Sequence, residues 1–116
     1  MKELKQHIRI IPVEGSVTDA FDLMADRPFS LEFTADSDDA GTYWKCQKTI
    51  IIDMPDATTR RFFHCQRSCQ IQVWDNSGAC HTIGYDGMPA RVLLSPMLQT
   101  ATLSIESEMP WNPLSL

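Results

Sequence analysis

The stretch Cys69-Gln70-Ile71-Gln72-Val73-Trp74-Asp75-Asn76-Ser77-Gly78-Ala79-Cys80-His81-Thr82-Ile83-Gly84-Tyr85 decides the fold class. Two β-rich runs, Cys69–Asp75 and Ala79–Tyr85, flank Asn76-Ser77-Gly78. Apolar residues recurring with period two mark a strand that buries one face. A three-residue connection with glycine at its left-handed position is a common hairpin loop. If Asp75 opposes Ala79, then Val73 opposes His81 and Ile71 opposes Ile83. Asp86-Gly87 is the favoured type I′ pair, so Ala79–Tyr85 is expected to turn directly into Met88–Leu94. One face then collects Ile71, Val73, Ile83, Tyr85, Met88, Ala90, Val92 and Leu94. Two turns read independently agree on one apolar face, the consistency expected of a foldable sequence. The other face is mostly polar but lines up Trp74, Cys80 and Leu93 as a row across three strands, a candidate contact surface.

Similar patterns extend in both directions. Beyond Ser95-Pro96, Ala101, Leu103, Ile105, Ser107 and Met109 alternate with polar residues and predict another half-buried strand. Upstream, Phe29, Leu31, Phe33 and Ala35 alternate with Ser30, Glu32, Thr34 and Asp36 and predict a strand, followed by a polar loop over 36–41. A long strand is expected from Tyr43 to Asp53, and His7–Val13 reads as a strand that Pro12 pushes to a sheet edge or a bulge. Ser16 and Asp19 form a capping-box-like pair; Val17, Phe21 and Met24 make an i, i+4, i+7 stripe before Pro28. That pattern predicts one short amphipathic helix over 17–26. The expected fold is mostly β: an antiparallel β-sandwich or small barrel of seven to eight strands with one short amphipathic helix, a single domain over residues 1–116 with an apolar tail at 109–116.

The chain has 116 residues and a mass of 13.2 kDa. Folding such a mass leaves roughly 6,400 Å² accessible and buries about 12,700 Å², enough for a core without staples. The net charge of −5 is uneven: residues 28–58 carry −4 and residues 59–91 carry +2. An acidic chain lacks the concentrated basic face that phosphate backbones require, so no nucleic-acid partner is expected. No run approaches the ~20 apolar residues of a membrane span. Met1-Lys2-Glu3-Leu4-Lys5-Gln6 has no apolar signal region, so the expectation is a cytoplasmic protein with no membrane partner.

Four cysteines and three histidines supply the reactive side chains. The best zinc set would be His64 or Cys65, then Cys69, then one of Cys80 or His81 (with Cys65, Cys69 and Cys80 as the all-cysteine version), because adjacent Cys80 and His81 point to opposite faces of a strand and cannot both bind one ion. The same geometry defeats Cys80–His81 as a nucleophile and base. Buried free thiols are the simpler reading, with no metal or cofactor expected, and His81 reads as a core histidine with a hydrogen-bond partner. Asp36-x-Asp38-x-Ala40-Gly41 is similar to the start of a calcium loop, but Ala40 and Gln47 stand where that loop needs ligands. There is no phosphate loop, nucleophile elbow, H-E-x-x-H or paired-carboxylate signature, so no enzymatic activity is expected.

What remains is surface. Trp111 and Leu114 sit in the proline-punctuated tail Met109–Leu116, which can dock on its own domain or on a neighbour. Phe62-Phe63, beside Arg60-Arg61, would put one ring on each face of a strand. The expected function is a non-enzymatic protein-interaction or structural subunit of a larger assembly, with Trp74, Leu93, Trp111 and Leu114 as contact residues and another protein or a second copy as partner. By fold-level analogy alone, small all-β subunits of phage tails and secretion machines have this size and texture. The alternative is a small-ligand- or zinc-binding β-barrel.

Overall fold

The computed structural model describes residues 3–13, 20–38, 41–84, 88–111 and 113. Among these residues nine strands and one helix follow in order: β1 (Glu3–Pro12), β2 (Phe21–Met24), β3 (Phe29–Ser30), β4 (Thr34–Asp38), β5 (Gly41–Asp53), α1 (Ala57–Phe62), β6 (Arg67–Asp75), β7 (Cys80–Ile83), β8 (Ala90–Pro96) and β9 (Thr100–Met109). All nine belong to one antiparallel sheet in the order β2-β1-β6-β8-β9-β5-β4, with β3 added to β1 and β7 to β6. The fold is mostly β and antiparallel, as expected, and the sheet curls into a half-barrel. Its accessible surface of 6658 Å² is that of a compact chain of this mass.

Strict alternation puts one side of the sheet inside. Ala101, Leu103, Ile105, Ser107 and Met109 of β9 are all buried, and they meet Ile50 and Ile52 of β5 and Val92 and Leu94 of β8. The β6–β7 hairpin has the register read from the sequence: Ile71 faces Ile83, Val73 faces His81, and Gly78 closes the loop at φ +90°.

The next connection differs from expectation. β8 pairs with β6 and β9, not with β7. Moving two residues along β6, from Ile71 to Cys69, moves the partner strand seven residues, from Ile83 to Ala90. The pairing therefore shifts by five residues between the two strands, and β7 and β8 run in the same direction along the same edge of β6. The expected turn pair Asp86-Gly87 lies outside the described residues. The departure point is Gly84, at φ +89°, where a Cβ would stand 2.7 Å from the Ala90 amide nitrogen and 3.0 Å from the Cys69 carbonyl oxygen. The Trp74/Cys80/Leu93 row fails for the same reason. Val92 pairs with Arg67, seven residues along β6 from Trp74, which places Leu93 roughly 23 Å away at ~3.3 Å per residue.

The helix is also elsewhere. Residues 21–24 form β2, whose buried Leu23, followed by buried Ala25, alternates with exposed Asp22 and Met24. The period-two pattern overrode the helical stripe of Phe21 and Met24; Val17, Ser16 and Asp19 lie outside the described residues. The observed α1 starts at Asp56, whose side chain accepts from the Thr59 amide at 2.8 Å, a standard N-cap. Arg60 and Arg61 occupy the last turn, where cations suit the helix dipole. Phe62 and Phe63 therefore end a helix rather than lie in a strand. Phe63 is fully buried, its carbonyl accepts from the Leu94 amide at 3.1 Å, and its ring packs edge-on against Phe21 and Phe62.

Three smaller expectations change. Phe29, Leu31 and Phe33 are buried in alternation, but Ala35 is exposed and the segment is split between β3 and β4. Asp36–Asp38 belong to β4 rather than to a loop. Strand β1 is interior, between β2 and β6; Pro12 is tolerated because it is the terminal residue, beyond the last pair with β2 at Ile10. The bulge falls between Leu4 and Ile8, where four steps on β1 face two on β6.

Candidate functional site

Two regions carry polar chemistry, and an apolar tip and an open cleft stand apart from them. At one end of the sheet, Asp75 closes the β6–β7 loop. Its Oδ1 accepts from the Ser77 hydroxyl (2.6 Å), the Ser77 amide (2.9 Å) and the Ala79 amide (3.1 Å), and its Oδ2 meets His81 Nε2 at 2.9 Å. The Ser77 hydroxyl first, then His81, hold this carboxyl well below its ordinary 3.8. On its other side His81 Nδ1 meets the Pro113 carbonyl at 3.2 Å. Both ring nitrogens thus face acceptor oxygens of the protein itself. His81 fastens the end of the chain to the barrel: Pro113 is buried, and Trp111, 45% exposed, crosses the surface just before it. The apolar tail begins later than expected, because Met109 is 1% exposed, pairs with Trp44 and receives the Gly84 amide on its sulfur. Leu114 lies outside the described residues.

The second region is the outer face around Trp74. His7 stacks on the indole at 4.7 Å and 5°, Arg9 lies over it at 6.0 Å, and Asp22 bonds both His7 (2.7 Å) and Arg9 (2.9 Å). Arg9 first, then His7, lower the Asp22 carboxyl. Trp74 is thus partly covered by its own domain. Exposed Cys80 pairs with it, five residues along β6 from buried Cys69, roughly 17 Å at ~3.3 Å per residue. Cys65, Cys69 and Cys80 do not converge, and among the described residues no three His, Cys, Asp or Glu side chains could hold one metal ion. Cys46 is buried against Ser107, and burial pushes its thiol up, away from the reactive thiolate. The Ser107 hydroxyl is buried and has no hydrogen-bond partner among the described residues. Ser107→Ala is expected to be neutral or to stabilise by up to ~1 kcal/mol in chemical denaturation, since it removes an unpaid desolvation cost; a loss above that would mean the hydroxyl has a function.

The third region is apolar. The β8–β9 hairpin ends in Pro96-Met97-Leu98-Gln99, with Met97 52% and Leu98 94% exposed. Beside it, Ala57, Arg60, Arg61, His64 and Pro96 line a groove of about 290 Å³. Sequence reading passed over this tip because two apolar residues after a proline carry no periodic signal.

A further cleft, of about 490 Å³, lies where the barrel wall fails to close. Ala25 bridges to Ile52, and the Asp26 amide donates to the Ile51 carbonyl at 3.0 Å, joining β2 to β5 at one point. From there β3 stays with β1, while β5 meets β4 only from Lys45 onward.

No protein-family model matches this chain, and no match was found among curated proteins or solved structures. No helix among the described residues is long and apolar enough to cross a membrane.

Proposed function

We propose that the protein is a non-enzymatic subunit of a larger assembly, acting through contacts with other protein chains, copies of itself included. The supporting observation is the hairpin tip. Loop tips are ordinarily polar, and a leucine left 94% exposed beside a methionine gains nothing from its own fold. Arg60 and Arg61 beside it suit a partner surface with an apolar pocket and acidic rim. Leu98→Asp should leave the fold intact, because the side chain touches no core. Light scattering on a sizing column reads the result: the wild-type chain elutes as an oligomer and Leu98→Asp as a monomer. Identical masses for the two would refute the tip as the contact.

A further inference from the structure

The cleft at the open wall combines two features. The first is an unpaired stretch of strand backbone. Backbone groups of alternate residues point to the same side of a strand. The Ile51 carbonyl points into the seam, where Asp26 meets it, so those of Thr49 and Gln47 point there too. Neither has a backbone partner on that side among the described residues. The second is Lys48. It shares its face of β5 with buried Cys46, Ile50 and Ile52 and pairs with fully buried Ile105, so its stem starts from the core side of the sheet. It has no ion-pair or hydrogen-bond partner among the described residues. The other cation of the cleft, Arg27, is taken by Asp26 at 3.5 Å, and Glu3 stands exposed at the rim.

We infer that this seam is a strand-addition site for an extended segment of another protein that carries one acidic side chain on its inward face. Water can satisfy such groups one by one, but an extended polypeptide matches their alternating N–H and C=O spacing as a set. The cleft's charges balance overall, which disfavours a polyanion, while the one unpaired inward cation calls for a single carboxylate. The added strand would lie between β3 and β5 and complete the wall that Ala25–Ile52 only begins. This site is distinct from the hairpin tip and stands or falls separately.

The probe is a short capped peptide of alternating valine and threonine with a central glutamate, compared with the same peptide bearing lysine. Binding is followed by the amide resonances of the ¹⁵N-labelled chain. The Thr49 amide should shift and become protected, with the glutamate peptide binding roughly tenfold or more tighter, about 1.4 kcal/mol. Lys48→Glu should reverse the preference. Thr49→Pro should abolish binding, since it removes an N–H that faces the seam and spares the ladder to β9; unchanged β6–β7 hairpin resonances would show that it folds. Equal affinity for the two peptides, no response at Thr49, or a response surviving in Thr49→Pro would overturn the proposal. A peptide-free dimer that Thr49→Pro dissolves would assign the edge to a second copy and overturn it as well.

Discussion

Gly84→Ala is expected to destabilise the protein by roughly 2–4 kcal/mol, more than the same change at Gly78 or Gly41. Two costs combine. The residue sits at φ +89°, where an L side chain is strained, and the new Cβ meets two backbone atoms, the Ala90 nitrogen at 2.7 Å and the Cys69 oxygen at 3.0 Å. Neither can rotate aside, because both belong to the β6–β8 pairing. Gly78→Ala is the control. Its φ of +90° is equally unfavourable, but nothing lies within 4 Å, so a loss of only ~1–2 kcal/mol is expected. Urea denaturation of the two variants separates strain from collision. Equal losses would show that the chain does not leave β6 at Gly84 in the way described.

His81→Ala is expected to cost about 2–4 kcal/mol, from the cavity and the loss of two buried hydrogen bonds. In thermal melts that is a fall of roughly 10 °C or more. The partner carboxyl supplies a pH signature. Asp75 is held below its ordinary 3.8 in the folded chain, so its contribution is complete well above that value and is lost progressively as the pH falls from there toward the lowered folded value. The stability gap between the wild-type chain and Asp75→Asn should therefore be widest near neutral pH and shrink between ~pH 5 and ~pH 2. A gap that stays constant over that range would mean that the Asp75 charge does not stabilise the fold. Asp22 and Asp56, also lowered, add to the acid sensitivity of both proteins and do not distinguish them.

Local patterns were legible and long-range closure was not. The alternation in β6 and β9 reports which face is inside, and a three-residue loop ending in glycine sets the Ile71–Ile83 register, because both depend on neighbours in the chain. The β7–β8 connection misled because a favoured turn pair predicts a reversal, whereas both strands pair antiparallel with β6, and no local rule tells the two outcomes apart. Residues 21–24 satisfied two periods at once, and only packing of Leu23 and Ala25 in the core decides for the strand. The Asp56 cap was readable and overlooked, since Asp56-Ala57-Thr58-Thr59 follows a proline that ends the preceding strand. Lys48 was readable too: it shares parity with Cys46, Ile50 and Ile52, and a lysine on an apolar face is a signal in itself. The bond from His81 to Pro113 spans 32 residues and the bridge from Ala25 to Ile52 spans 27; neither leaves a trace in local sequence.

Native mass spectrometry of the untagged chain, beside Leu98→Asp, tests the assembly reading most directly, because mass reports subunit number and bound metal together. The account predicts a multiple of 13.2 kDa without adduct for the wild-type chain and 13.2 kDa for the variant. A wild-type monomer at every concentration, above all one carrying a stoichiometric zinc-sized adduct, would contradict it.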